Sequence, residues 1–475
     1  MVFLFNYVKL IIWSGIYYFQ EDKSDIILEI IINNIRNSGC VAIKFTQWIL
    51  PKIETYYNID NRVKDNKWFK ELEVLYEDCN YHSIEYTKNV YKDNFKSNLL
   101  DDYEIIDLLA SGSIGQVYKV KNKVNNNIYA LKVVHPGMKL QLLFFEYFIN
   151  ILYLIPCIYS LIIHYIPVNL KDFIKDFKIQ SNLINEANNC ITFYDNYKDN
   201  KVIIIPQIYK ISENLIIMTY ETGEKIHDID ISEYTKYKLL LFLKLFIKSN
   251  EAIYRLLHGD LHNGNWKVRI EDGLPKLIIY DFGFCWNIPT FLTKEDLQYM
   301  DKAFMKVQEN KEETIISFSN ACWRFVGKKV PEKYMYEEIK RLKVTTKLNY
   351  DDPQLLLNLL INLAREYNVI LEPFMIQSVI LHIQTMKNFE EYYISRPNIN
   401  NDKLTVEYEY YNRRIHDIIN ICDTYDIFKE YSKLLEQEII EENIAINELF
   451  GTIKNDNNLD KYDLSSIAID GIEYN

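Results

Sequence analysis

What most limits the folds open to this chain is the order of a few chemistry-bearing residues along elements of different period. The stretch "HGDLHNGN", His258 to Asn265, is followed by a short hairpin pattern and then by "IIYDFGF". Upstream, Lys132 sits inside the apolar run "YALKVV", and Glu186 sits in the helical pattern "NLINEANN". A lone lysine on a strand is ordinarily a solvent-facing edge residue. One with apolar neighbours on both sides needs an anion, and Glu186 can supply it. Breaking a buried pair of this kind costs about 3–5 kcal/mol, because the abandoned charge stays buried. Asp-x-x-x-x-Asn, a turn-centred hairpin and Asp-Phe-Gly, all downstream of a matched Lys and Glu, read as one set.

The elements around that set change period along the chain. Residues 22–98 read as a helical extension: "IILEIIINNI", "VAIKFTQWIL" and "KELEVLYEDC" carry apolar residues at three- and four-residue spacing. From Tyr103 the period shortens, and "YEIIDLLA", "QVYKVK" and "IYALKVV" read as three strands, with "NKVNNN" as a turn. Leu170–Phe193 returns to helical spacing, "KVIIIPQIYKI" and "NLIIMTY" read as a strand pair, and "YKLLLFLKLFIKSNEAIYRLL" reads as a long buried helix leading into His258. "WKVRI" and "KLIIYD" flank Asp272-Gly273, a hairpin-turn dipeptide. Beyond Pro289 the pattern is helical to about Phe450, and a polar tail follows. This is the order of a protein-kinase-like fold. The fold class expected is α+β, bilobal, with a helical N-terminal extension and a mostly helical C-terminal region. The boundaries expected are 1–98 for the extension, 99–220 for the first lobe with a helical insertion, 221–452 for the second lobe and 453–475 for the tail.

Each residue of the set has a physical task. In "ASGSIGQV", Ala110, Ser111, Gly112, Ser113, Ile114, Gly115, Gln116 and Val117, small residues let backbone amides approach phosphate oxygens; read alone, the same stretch is a plain β-turn. Lys132, paired with Glu186, would grip the α- and β-phosphates of ATP. Asp260 would take or orient the proton of an attacking hydroxyl, Asn265 would hold one Mg2+, and Asp281 would chelate the metal bridging the phosphates. Met218 and Tyr220 fall where a hinge would meet adenine, with Val117 and Ala130 covering the ring. His258 reads as a brace for the loop backbone rather than an acid or base, and His262 is read in the same way.

Composition excludes some classes. A net charge of −12 leaves no basic face for a nucleic-acid backbone, so no nucleic-acid partner is expected. The 7 cysteines are scattered with no C-x-x-C pair, which fits reduced thiols in a cytosol-like compartment and no structural zinc. Two apolar segments raise a membrane question. Residues 2–20 carry one charge, Lys9, and read either as a buried or membrane-surface helix or as a single-span anchor. Tyr147–Ile163 is divided by Pro156. Because this segment lies between Lys132 and Glu186, which must meet, a single crossing there is excluded by the fold. A hairpin broken at Pro156, packed on the lobe or dipping into a bilayer surface, is expected instead. Composition leaves the oligomeric state and compartment open.

"LLASGSIGQVYKV" with "ALKVVHPGM", "NEANN", "LHGDLHNGN" and "IIYDFGF", preceded by "AIKFTQW", resembles the UbiB/ADCK family of atypical kinases over roughly residues 36–290. The resemblance implies a helical extension laid over the active site, binding of ATP and magnesium, and a link to isoprenoid-quinone lipid metabolism at membranes. It also implies three departures. Lys44-Phe45-Thr46-Gln47 stands for the family's Lys-x-Gly-Gln, so Lys44 and Gln47 remain but the glycine is Thr46. Glu-x-Asp falls on Gln180-Ser181-Asn182, so Gln180 and Asn182 are neutral amides. The alanine-rich loop becomes Ala-x-Gly-x-x-Gly through Gly115. On this alignment Gln180 faces Lys44 and holds it less firmly than a carboxylate would, giving a looser lid. No Ala-Pro-Glu element follows Asp-Phe-Gly, so no peptide-substrate platform is visible. The function expected is an ATP- and magnesium-dependent atypical kinase or ATPase acting on a small or lipid-like molecule. A silent pseudokinase scaffold and an aminoglycoside- or choline-kinase-like phosphotransferase are the alternatives.

Overall fold

The computed structural model describes residues 2–20, 24–57, 81–156, 159–160, 170–261, 263–288, 329–346, 353–367 and shorter stretches between 315 and 437. The readings made on "KELEVLYEDC", on His262 and on the tail lie outside these residues. Mixed helix and strand content places the chain in the α+β class.

The extension begins with α1 (Val2–Phe19), α2 (Asp25–Asn37) and α3 (Cys40–Tyr57). Leu28, Ile31, Ile32 and Ile35 give α2 a single buried face at helical spacing. After α4 (Ile84–Phe95) and the short α5 (Leu99–Asp102) come β1 (Tyr103–Ser111), β2 (Gly115–Asn122) and β3 (Ile128–Val134). Then follow α6 (Met138–Leu154), α7 (Leu170–Gln180), α8 (Leu183–Tyr197), β4 (Ile203–Ile204), β5 (Ile208–Ile211) and β6 (Leu215–Thr219). Strands β1, β2, β3, β6 and β5 form, in that order, a five-stranded antiparallel sheet.

Two sequence readings change here. Leu170–Phe193 is not one helix: the chain leaves helix at Ser181, and Asn182 caps α8 by accepting from the Ile184 amide at 3.0 Å. An asparagine competes for backbone donors, so a capped restart at this point is favoured although the apolar period runs through it. "KVIIIPQIYKI" is likewise not one strand. Pro206 has no amide to donate, and on either side of it β4 pairs in parallel with residues Leu277 and Ile278 while β5 pairs with β6.

Helix α9 (Glu233–Ser249) ends in one π-helical turn, Asn250–Tyr254, and a left-handed Arg255 at φ 54°, before β7 (Leu256–His258). Strands β8 (Trp266–Glu271) and β9 (Leu274–Ile279) form the hairpin, with Asp272 at φ 52° and Gly273 at φ 75°, the positive angles that a two-residue hairpin turn requires. They join β4 in a three-stranded sheet, while β10 (Cys285–Asn287) pairs with β7. Helices α10 (Glu332–Thr346) and α11 (Pro353–Glu366) follow.

The extension is not an appendage, because its core is shared. Ile43, Phe145, Phe173, Ile339 and Leu359 from α3, α6, α7, α10 and α11 belong to one buried cluster that also takes in Ile114 of the β1–β2 loop. Phe45 of α3 lies 5.0 Å from Phe145 and 5.2 Å from Phe173, ring centre to ring centre. Tyr7 ties α1 to α6 through Phe145 and Phe148, at 6.0 and 5.8 Å. The remaining faces of these two helices are apolar and exposed: Phe5, Val8, Ile12 and Ile16 on α1, and Leu140, Leu143, Tyr147, Ile151 and Leu154 on α6. No helix of the described residues is long and apolar enough to cross a membrane. Helix α6 ends at Leu154, immediately ahead of Pro156.

Gly115 opens β2 against β3 at very close range: a Cβ there would lie 2.2 Å from the Val133 carbonyl oxygen. The obstacle is backbone and cannot swing aside. Gly115→Ala is therefore expected to cost about 1–3 kcal/mol, read as a lowered Tm. Gly112→Ala, whose Cβ would meet nothing nearer than 3.9 Å, should leave Tm unchanged.

Candidate active site

Lys132 stands on the central strand β3, opposite Val117 of β2 and Ile216 of β6. Its ammonium lies 2.7 and 2.8 Å from the two carboxylate oxygens of Glu186 on α8, and 3.3 Å from Asp281 Oδ1. The side chains of Lys132 and Glu186 are 8% and 4% exposed. Burial alone would lower the Lys132 pKa, but Asp281 and Glu186 overcome it and hold the ammonium above the usual lysine range. Burial pushes Glu186 up to about 7 against the pull of Lys132, and the neighbouring Asp281 carboxylate pushes the same way. Asp281 keeps 42% of its side chain accessible, although protein surrounds it closely enough to penalise its charge. Lys132, Lys44, the Gly283 amide and His258 outweigh that penalty and hold its carboxyl well below the ordinary range. The cluster therefore keeps an ionised Asp281 beside a fixed ammonium at the open side of the pair.

The β1–β2 turn closes through Gly112 N donating to Gly115 O at 3.0 Å. The amides of Ser113 and Ile114 donate to no other group among the described residues, so the turn carries two free donors of the kind that cradle a phosphate. Ser113 Oγ donates to Gln47 Oε1 of α3 at 3.1 Å, and Ile114 is buried. Gln116 departs from its sequence reading. Its side chain is buried and hydrogen-bonds Tyr118 and the backbone of His82, so only its main chain is left to meet a ligand. Further along the sheet Ala130 and Met218 are register partners. Lys119 lies over the Tyr220 ring, 4.6 Å from its centre. The segment after Tyr220 is braced from the hairpin: Arg269 reaches Glu221 at 2.9 Å and the Thr222 carbonyl at 3.1 Å, and Tyr280 Oη donates to the Glu221 carbonyl at 3.0 Å.

In the loop after β7, His258 Nε2 lies 3.0 Å from the Tyr280 carbonyl, which can only accept, so Nε2 carries the proton. The bare Nδ1 accepts from the Asp260 amide at 3.3 Å. The imidazole, 2% exposed, is a backbone brace. Asn265 Nδ2 donates to the Asp260 carbonyl at 2.6 Å, and Asn265 O accepts from Tyr280 N at 2.8 Å, which locks loop and β9 together. Asn265 Oδ1 and Asp281 Oδ2 have no protein donor among the described residues. No group of three or more His, Cys, Asp or Glu side chains there could hold a metal by itself. That donor set fits Mg2+, a hard cation that takes one or two protein oxygens and completes its shell with water and substrate phosphate.

The extension reaches this loop directly. Lys44 Nζ lies 3.3 Å from Asp260 Oδ2, and makes no hydrogen bond to Gln180. The expected Lys44 and Gln180 contact is thus corrected. Gln180 is the last residue of α7 and is buried, while Asn182 is spent on capping α8. With no carboxylate at either position, the nearest anion open to Lys44 is Asp260. Two groups absent from the sequence reading complete the surroundings: His135 Nε2, 2.8 Å from the Gly112 carbonyl, and His82, whose Nδ1 lies 2.9 Å from His135 Nδ1. Only His135, in "VVHPG" just after the lysine strand, carried any signal in the sequence.

The pair at the centre makes a prediction that needs no ligand. Lys132→Met and Glu186→Leu should each destabilise the protein by about 3–5 kcal/mol, and the double variant should lose less than either single, since no charge is then stranded. Equilibrium denaturation of the three variants checks it.

A family model described as the ABC1 atypical kinase-like domain matches residues 74–318, just over half of the chain. "Probable serine/threonine-protein kinase abkC" of Dictyostelium discoideum is 25% identical over 265 residues, which is 51% of this chain and 35% of that protein. "Probable protein kinase UbiB" of Photorhabdus laumondii is 25% identical over 317 residues, 60% of this chain and 53% of that one. The chain spans between about a third and about half the length of these curated relatives. A solved complex of a Mycobacterium tuberculosis protein with erythromycin aligns over 63% of this chain and 83% of that chain, at 17% identity and a TM-score of 0.38, too low to carry an argument. Taken with the family model and the names of its relatives, the Lys132, Glu186, Asp260, Asn265 and Asp281 constellation sits in a chain that belongs to the UbiB/ADCK family of ABC1 atypical kinase-like proteins.

Proposed function

We propose that this chain binds ATP with magnesium and acts as an atypical kinase or ATPase on a small or lipid-like molecule. The observation that carries the reading is the convergence of the Lys132 ammonium, the Asp281 carboxylate and the Asp260–Asn265 loop beside a turn with two free amides. Lys132 would hold the α- and β-phosphates, oriented by Glu186, and the Ser113 and Ile114 amides would meet phosphate oxygens. Asn265 Oδ1 and Asp281 would hold Mg2+, which when bound offsets phosphate charge. Asp260 would take the proton of an acceptor hydroxyl, or of water in an ATPase. We place the five-stranded sheet in a first lobe, residues 99–220, and the hairpin sheet in a second, 221–452, with the extension at 1–98 and a tail at 453–475. Val117, Ala130, Met218 and Tyr220 would enclose adenine at the junction. The lipid part of the proposal is supported by the exposed apolar faces of α1 and α6.

A second reading, nucleotide binding without transfer, is favoured by one observation: Lys44 already occupies Asp260. The two are separated by experiment. ATP with magnesium at a hundredfold excess over the dissociation constant should stabilise the protein by about 2.7 kcal/mol, and Asp281→Asn should remove the magnesium-dependent part. No thermal shift at millimolar ATP would discard both readings. Asp260→Asn should keep the shift and lose the turnover; a wild-type protein with the shift but no turnover would leave only the second. Lys44→Met should raise turnover about fivefold, the population change expected for releasing one partly buried ion pair of about 1 kcal/mol. Unchanged or reduced turnover would show that Lys44 does not restrain Asp260.

A further inference from the structure

The contacts of His82 and His135 define a single hydrogen-bond direction. The Gly112 carbonyl can only accept, so His135 Nε2 carries the proton and donates across 2.8 Å. Burial lowers the pKa of both rings, His82 to about 4 with His135 adding to the effect, so both are neutral near pH 7. A neutral His135 protonated on Nε2 has a bare Nδ1, and His82 Nδ1–H must be the donor across the 2.9 Å between them. His82 Nε2 is then bare and accepts from Thr87 Oγ1, 2.9 Å away. The one Thr87 proton also lies toward Tyr118 Oη across a longer 3.3 Å contact, and Tyr118 accepts from Gln116 Nε2 at 2.7 Å. Gln116 Oε1 closes the network by accepting from the His82 amide. The network ends on the carbonyl of the glycine-containing turn. His135 holds the same turn by its main chain, its amide donating to Ile114 O at 2.9 Å.

We infer that His82 and His135 are positioning residues for the phosphate turn, His82 fixing the tautomer with which His135 clamps Gly112, so that the segment entering α4 sets where the free Ser113 and Ile114 amides lie. The inference rests on the reading of residues 110–117 as a phosphate cradle. Among the described residues the groups facing the two rings are Tyr86, Thr87, Gln116, Tyr118 and the Gly112 carbonyl, none of them charged. Protonating His135 on Nδ1 would set N–H against N–H at 2.9 Å and open the clamp, and protonating His82 on Nε2 would remove the acceptor that Thr87 Oγ1 now meets. The unfolded chain takes that proton near 6.5 and the folded one only near 4, so the pair's contribution to stability is lost as pH falls below 6.5.

The test uses the full chain. His135→Phe keeps a ring without a donor, and His135→Gln restores an N–H near the place of Nε2. Amide exchange in a peptide covering residues 110–118 should accelerate about tenfold in His135→Phe and in His82→Phe. The double variant should be no worse than His135→Phe, and His135→Gln should return toward wild type. The half-saturating Mg-ATP concentration should rise about tenfold in the two Phe variants, with kcat changed by less than about twofold. His82→Phe should also flatten the fall in Tm between pH 6.5 and 4. Should His135→Phe not fold, the less buried His82→Phe carries the same readouts. Unaltered exchange at 110–118 in the folded variants would overturn the inference. A wild-type protein that binds no ATP, with the exchange changes present, would support the clamp and discard the ATP reading instead.

Discussion

The ion pair between Lys132 and Glu186 is the constraint on which the rest of the site depends. It joins the central strand of the five-stranded sheet to α8, and through Asp281 it reaches the end of the hairpin sheet. An ammonium and a carboxylate this deeply buried tolerate no partial arrangement: if α8 moves off, two charges are stranded. The structure avoids this by fixing both ends. β3 is flanked by β2 and β6, and α8 is restarted at Asn182 by its own cap and packed into the hairpin core through Cys190 and Phe193. The third charge, Asp281, is the only one of the three with substantial access to solvent, and that is where a cation can be received.

Among the described residues, the extension meets the site through polar contacts one helical turn apart on α3. Lys44 meets Asp260 in the loop after β7, and Gln47 meets Ser113 in the turn between β1 and β2. Both contacted groups are ones that a nucleotide or an acceptor would need. The apolar contacts of α3, to Phe145 and Phe173, lie instead with α6 and α7. Helix α3 is thus anchored chiefly by packing against α6 and α7 and meets Asp260 and Ser113 through contacts of modest strength. That division would let the polar contacts exchange for a ligand without dismantling the core beneath them.

Much of this was legible in the sequence where chemistry restricts the residue type. A lysine with apolar neighbours, a helical glutamate and an Asp-Phe-Gly can be placed in order from spacing alone, and Asp272-Gly273 identifies its own turn. Partners that depend on a distance between remote segments were not legible. An alignment that sets Gln180 opposite Lys44 takes no account of the break at Ser181 or of where α3 lies. His82 and His135 are 53 positions apart, and neither has a pattern that singles out the other. The split of Leu170–Phe193 was hidden because Leu183 and Ala187 continue the apolar period past the cap, while the break at Pro206 was present in the sequence as a residue unable to donate to a ladder.

The replacement of two acids by Gln180 and Asn182 takes on a different meaning in three dimensions. The sequence reading treats it as a weakened grip on Lys44. In the structure Asn182 is occupied with its own backbone and Gln180 makes no ion pair, so among the described residues Asp260 is the carboxylate that Lys44 pairs with directly, with no competitor at position 180 or 182. A lysine between two carboxylate partners can let go of one without becoming unpaired. A lysine with a single direct partner cannot, and releasing Asp260 leaves Lys44 with only the more distant Asp281 in a half-buried setting unless an incoming phosphate takes the place of the carboxylate. Loss of the acids would therefore not loosen the extension so much as make its release depend on an anion arriving in the cleft. That dependence ties the opening of Asp260 to the same event that would fill the turn at Ser113 and Ile114.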